Sequence, residues 1–214
     1  MEIIISNNNG RSLKFLARGF ENIPLLTWTQ QKSSSFPLLR TSRLFLRRLT
    51  YADAEALFSY FSEPLVTEYY DLDTLTRVQQ AEELIRLWNV AYAMKKAMRW
   101  ALVLKESKEV IGTCGFHNFN EEHARAEIGY DLKPEFWHQG YMREAVTSII
   151  RYGFRQLNLH RVEAFIFPKN IASRKLLEAV GLQFEGRLQD YFWHRGEFVD
   201  SEIFAITCNH WKKK

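Results

Sequence analysis

The residues with the clearest chemical potential lie at 135–145, EFWHQGYMREA. A strand-like run precedes them at 126–132, AEIGYDL, where side-chain character alternates until Lys133-Pro134 closes it. A helical run follows from Arg143 to Gln156. It places Ala145, Ile149, Tyr152 and Gln156 near one face, with Val146, Ile150, Gly153 and Phe154 beside it. Backbone N–H groups at a helix start are unpaired and carry partial positive charge, so this junction suits a phosphate or pyrophosphate. Gly140 admits a ligand close to the main chain. A glycine before a helix is, on its own, also ordinary turn chemistry.

A second stretch lies at 167–182, FPKNIASRKLLEAVGL. Asn170, after Pro168, has the makings of a helix N-cap, with Ser173 in the first turn. Three carboxylates sit where they could act as bases: Glu127 on the strand before the glycine junction, Glu163 on the next strand, and Asp190 late in the chain. Each can equally be a hydrogen-bonded structural acid. Tyr130, Tyr191 and Trp193 could line an acceptor pocket or pack in the core.

Taken in order, the two stretches resemble the GNAT superfamily of acyl-CoA N-acyltransferases, whose pyrophosphate loop reads Arg/Gln-x-x-Gly-x-Gly/Ala before a helix. The nearest branch is the RimJ/RimL type of ribosomal-protein N-acetyltransferase. Its motifs are matched by Ala126 to Tyr130, Trp137 to Tyr141, His160 to Ala164, Pro168 to Gly181 and Glu185 to Tyr191. The likeness spans residues 39–211. It departs from the pattern at Trp137, where the family has Arg or Gln, and at His138, where glycine is frequent.

The resemblance implies acetyl transfer from acetyl-CoA to a primary amine by direct attack in a ternary complex. The pyrophosphate would be held by backbone N–H groups of His138, Gln139, Gly140, Met142 and Arg143. Leu132 would pair its main chain with the pantetheine arm, and Asn170 and Ser173 would stand beside the cofactor. Many members carry a tyrosine one turn after Ser173; here that position is Leu177, which leaves Ser173 as the candidate acid or hydrogen-bond donor to the departing thiolate. The resemblance favours Glu127 or Asp190 over Glu163 as the base. The leading acceptor is a protein N terminus, of a ribosomal protein in this branch. The alternatives are a small amine such as an amino acid, polyamine or antibiotic, or a non-catalytic acyl-CoA-binding module.

These residues need a scaffold, and the periodicities supply one. Strands are expected at 43–49, 100–104, 109–119, 124–132, 161–167, 183–193 and 198–207. Helices are expected at 54–61, opened by Thr50-x-x-Asp53 and ended by Pro64, then from Thr74 to about Met98, from Arg143, and at 171–180. The outcome is an α/β domain: a mixed, mostly antiparallel twisted sheet of about seven strands with helices on both faces. The expected division is an N-terminal extension at 1–37, with its boundary near Ser33-Ser34-Ser35, and a catalytic domain at 38–214.

Composition narrows the classes. Lys and Arg number 29 against 25 Asp and Glu, a net charge of +4, mild enough for solubility alone and compatible with a polyanionic ligand. The two cysteines, Cys114 and Cys208, have no metal or redox spacing, so reduced thiols and a cytoplasmic setting are expected. No histidine pair has metal-site spacing, no Walker or dinucleotide motif occurs, and no nucleic-acid motif stands out. No apolar run spans a bilayer, and assembly as a homodimer is left open.

Overall fold

The computed structural model describes residues 35–211, together with the backbone of two short strands, β1 (Ile3–Ser6) and β2 (Ser12–Phe15). These two pair with each other in a separate antiparallel sheet. Apart from these strands, residues 1–34, Ser33 and Ser34 among them, lie outside the described residues. Phe36 and Pro37 already contact the domain: Phe36 packs on Tyr92 and Trp100, and Trp100 Nε1 donates to the Pro37 carbonyl at 2.9 Å.

The main sheet contains β3 (Leu39–Arg40), β4 (Leu44–Arg48), β5 (Met98–Leu104), β6 (Val110–Asn120), β7 (Arg125–Leu132), β8 (Arg161–Ile166), β9 (Gln183–His194) and β10 (Glu197–Thr207), in the order β3-β4-β5-β6-β7-β8-β10-β9. Every pairing is antiparallel except β7 with β8. That is one strand more than expected, because two-residue β3 is too short to show a period.

Period-two alternation on β5 explains why helices cover both faces. Met98, Trp100 and Leu102 join the core beneath α4 (Tyr141–Gln156) and α5 (Ile171–Val180), whereas Ala101 and Val103 join the core beneath α1 (Ala54–Phe61) and α3 (Val78–Ala93). The expected stripe on α4 is buried through Ala145, Val146, Ile149, Ile150 and Tyr152, but Gln156 is exposed. Gly153 has a packing reason: an added Cβ would stand 2.8 Å from Phe116 Cζ.

Helix boundaries follow local hydrogen bonds. The Thr50/Asp53 start signal is real, with Thr50 N–H donating to Asp53 Oδ2 at 2.8 Å. Pro64 does not end α1; it opens a short helix, α2 (Pro64–Thr67), at the position where a missing N–H costs nothing. The long helix is shorter than expected. Gln80 Oε1 accepts from the N–H groups of Thr76 and Arg77 and sets the start of α3, and left-handed Lys95 (φ 58°) ends it before β5. A last turn, α6 (Cys208–Trp211), packs Trp211 against Phe154. Among the described residues, no helix is long and apolar enough to cross a membrane.

Candidate active site

β7 and β8 are neighbours over only three pairs, Arg125↔Arg161, Ala126↔Val162 and Glu127↔Glu163, and then separate. Lys133 N–H bonds the Ile111 carbonyl on β6. By strand alternation, Leu132, Tyr130 and Ile128 therefore turn their main-chain groups toward the opening left by β8. One of these groups is engaged: the Leu132 carbonyl accepts from Trp137 Nε1 at 2.7 Å. The opening is part of a cleft of about 2420 Å³, lined among others by Glu127, Tyr130, Leu132, His138, Gly140, Met142, Arg143, Asn170 and Ser173.

After Pro134–Phe136, a 3-10 turn, the chain reaches α4 through two left-handed residues, His138 (φ 59°) and Gly140 (φ 79°). Gly140 is the N-cap of α4, and the helix starts at Tyr141, two residues earlier than expected. Among the described residues, the backbone N–H groups from His138 to Arg143 have no hydrogen-bond partner. Orphaned donors at a helix start fit a diphosphate, so the residues present suit the pyrophosphate of an acyl-CoA. Histidine tolerates the left-handed region better than most side chains, which lets His138 hold φ 59°.

Arg43, just before β4, braces this loop. Its Nη1 donates to the Gln139 carbonyl at 3.0 Å, its Nε pairs with Glu144 Oε2 at 2.8 Å, and its guanidinium lies 4.0 Å over the Tyr141 ring. The carbonyl of Gln139 is thereby held on the arginine side. Nothing local marks Arg43 for this role, since its partners lie about a hundred residues away.

On α5, Asn170 caps the helix as expected, its Oδ1 accepting from Ser173 N–H at 3.0 Å. Ser173 is buried, and its Oγ lies 2.5 Å from the hydroxyl of Tyr130 on β7, where either oxygen can donate. Burial pushes the Tyr130 phenol well above its usual pKa, so it is a neutral donor. Leu177 is fully buried in the core. The hydroxyl partner of Ser173 thus comes from the sheet, not from one turn along the helix.

The three carboxylates separate clearly. Glu127 lines the cleft, with its carboxylate 3.7 Å from His117 Nδ1, and desolvation raises its pKa. The His117 imidazole is pushed down by burial and by the Arg99 charge, with 42% of its side chain still open to solvent to limit that effect. Glu163 is held by Arg125 and Arg161, each at 2.6 Å, as a structural acid. Asp190 is exposed on β9, in the left-handed region (φ 46°), with its N–H donating to Asp200 Oδ1 at 3.0 Å. It is not among the residues that line the cleft. Trp193 is on the cleft lining; Tyr191 is not itself on it but stacks at 5.6 Å on Phe165, which is.

One cluster has no counterpart in the sequence reading. Arg99 pairs with Asp131, which also accepts from Tyr60 at 2.7 Å and from the Thr113 hydroxyl at 2.6 Å; Arg99 donates to Tyr70 at 2.7 Å. The ion pair is buried and every partner is satisfied, as a charge in a protein interior requires. Cys114 nearby is fully buried, and burial pushes its thiol up to about 12, which makes it a poor nucleophile. Among the described residues, no group of His, Cys, Asp and Glu is placed to hold a metal.

A family model described as an acetyltransferase (GNAT) domain matches residues 43–183. The chain is 41% identical over 172 residues to an uncharacterized N-acetyltransferase, YoaA, of Bacillus subtilis (strain 168), covering 80% of this chain and 97% of that one. It is 28% identical over 183 residues to the [ribosomal protein uS5]-alanine N-acetyltransferase of Escherichia coli (strain K12), covering 81% of this chain and 92% of that one. The crystal structure of a GNAT-family acetyltransferase from Bacillus anthracis superimposes with a TM-score of 0.71 at 26% identity, covering 80% of this chain and 98% of that one. An opening between two parallel strands, a glycine-capped helix with unpaired N–H groups at its mouth, and these matches lead to one conclusion: the chain belongs to the GNAT acetyltransferase family and is an N-acetyltransferase.

Proposed function

We propose that the protein transfers the acetyl group of acetyl-CoA to the primary amine of a protein N terminus, by direct attack in a ternary complex. The observation that carries this reading is the meeting, in one cleft, of the unpaired N–H groups at 138–143, the Ser173–Tyr130 hydroxyl pair and desolvated Glu127. Acetyl-CoA supplies the activated thioester carbonyl. The residues of the chain do the rest.

The N–H groups of His138, Gln139, Gly140, Met142 and Arg143 bind the pyrophosphate, and the free edge of β7 at Leu132 takes the pantetheine amide groups as an added strand. Asn170 sets the first turn of α5, which aims Ser173 into the cleft. Tyr130 donates to Ser173 Oγ, leaving the serine proton to be donated to the departing sulfur; donation stabilises a thiolate even without full transfer. Glu127 accepts the amine's proton, directly or through water. Asp190, outside the cleft lining, has no part in this scheme.

An α-amine suits this base. Its ordinary pKa is about 8, against about 10.4 for a lysine side chain, so far less driving force is needed to present it neutral near pH 7. A carboxylate whose pKa is raised by desolvation is better matched to that transfer than an ordinary one. The similarity to an enzyme named for alanine of ribosomal protein uS5 supports a ribosomal-protein acceptor. A reducing, cytoplasmic setting accords with that acceptor and with Cys114 as a buried free thiol.

The test is turnover of acetyl-CoA, followed by thiol release, against peptides with free or blocked N termini and against amino acids and polyamines. Free N termini should support turnover and blocked ones should not. Turnover confined to small amines would replace this reading, and no turnover with any amine would leave an acyl-CoA-binding module.

A further inference from the structure

The cleft is also lined by rings that the chemistry does not use. Tyr69, Phe167, Phe192, Trp193 and His194 all line the same cleft as Glu127, Tyr130 and Ser173. Phe167 is the hub: its ring centroid is 6.2 Å from Tyr69, 6.1 Å from Phe192 and 4.8 Å from His194. Phe192 and Trp193 remain 37% and 63% exposed on an edge strand, where polar residues would be expected if nothing covered them. The wall is built from three distant parts of the chain, Tyr69 after α2, Phe167 after β8 and the end of β9, and Arg195 Nη2, in the β9–β10 turn, ties β9 to α2 by donating to the Thr67 carbonyl at 3.0 Å.

Resting on the N-terminal acceptor reading above, we propose that this aromatic wall selects N termini that carry an apolar side chain close behind the reacting amine. Around Phe167 the rings of Tyr69 and Phe192 meet edge to face, at 65° and 82°, and His194 is tilted at 52°, so the wall offers predominantly apolar ring surface. Glu68, Asp71 and Asp73 also line the cleft but are exposed, so water and salt screen them; they favour approach of a protonated terminus without reading its side chains. An extended acceptor advances about 3.3 Å per residue, so its second and third residues leave the reaction centre along the cleft while the first presents the amine. The side chain that meets the wall displaces water from the rings, and contact of that kind discriminates by roughly 10-fold or more per apolar group.

The test uses hexapeptides that differ only at the second residue, Leu, Phe, Asn, Asp or Lys, with acetyl-CoA and thiol detection. Leu and Phe peptides should exceed the others in kcat/KM by about 10-fold or more, mostly through KM. In Phe192→Ala and Trp193→Ala the ratio of Leu to Asn peptide should fall toward one. Both variants should keep the acetyl-CoA-induced rise in unfolding midpoint, which establishes that they are folded. Equal rates on all peptides, a preference for Lys or Asp, or a Leu preference that survives both substitutions would overturn the selection while leaving N-terminal acetylation standing. Failure of every peptide where a small amine succeeds would remove both.

Discussion

The Tyr130 hydroxyl stands 2.5 Å from Ser173 Oγ and joins the middle of β7 to the first turn of α5 across the opening between β7 and β8. Capping and catalysis at that turn can be separated. Ser173→Ala keeps the Asn170 cap, so stability should change by no more than ~1 kcal/mol while kcat falls by ~10²-fold. Asn170→Ala should do the reverse, costing about 1 kcal/mol with a smaller effect on the chemical step. Tyr130→Phe should lower kcat less than Ser173→Ala, and the double variant should be no worse than Ser173→Ala, since the tyrosine acts through the serine. A thioester with a better leaving group should recover part of the Ser173→Ala loss. No recovery at all would remove the serine from the departing sulfur.

The cradle depends on two left-handed residues, and they should respond oppositely to substitution. Gly140→Val forces a β-branched side chain to φ 79°, a strain of at least ~1–2 kcal/mol, although a Cβ would meet only Arg43 Nη2 at 3.5 Å. The loop should shift and the acetyl-CoA-induced midpoint rise, worth about 2.7 kcal/mol at a hundredfold excess over Kd, should largely vanish. His138→Gly, at φ 59°, should retain it. Calorimetry with coenzyme A checks both, and undiminished binding by Gly140→Val would disprove the cradle.

Glu127→Gln should lower kcat by ~10²-fold near neutral pH with acetyl-CoA affinity nearly intact. The pH dependence has a definite sign. Desolvation raises the Glu127 pKa, so activity should fall with acid through a limb above the ordinary carboxylate pKa of 4.5, and that limb should be absent from the residual activity of the variant. A raised pKa also means that the folded state binds the proton more tightly than the unfolded one. Ionised Glu127 therefore costs stability above its folded pKa, and that cost disappears as pH falls. Glu127→Gln should accordingly be slightly more stable than the parent at neutral pH. Asp190→Asn, exposed and off the cleft, should stay within about twofold of the parent in kcat. A larger loss there would move the base to β9.

On the buried floor of the cleft, the Arg99–Asp131 pair should govern stability. Asp131→Ala strands a buried guanidinium and should cost ~3–5 kcal/mol, read as a fall in urea midpoint. Replacing Arg99 and Asp131 together by apolar residues should cost less than Asp131→Ala alone, because no uncompensated charge remains. Equal losses would show that packing, not charge, decides the site.

Local pattern determined most of the scaffold. α5 at Ile171–Val180 and α1 at Ala54–Phe61 begin and end where apolar spacing and start signals put them, and the strands fall within a few residues of their periodicities, because both signals are properties of neighbouring residues. The glycine junction and the Asn170 cap were legible for the same reason. Tertiary structure alone decided which chemistry-bearing residues meet. Tyr130 reaches Ser173 across 43 positions, and Arg43 reaches Gln139 across 96, through a strand order that no local pattern encodes. Three carboxylates that look alike as strand residues were sorted by their surroundings: Arg125 and Arg161 took Glu163 into the structure, edge strand β9 turned Asp190 to solvent, and the parting of β7 from β8 left Glu127 desolvated in the cleft. Side-chain type and spacing fix what a group can do, but its pKa and its partner depend on packing between segments distant in the chain.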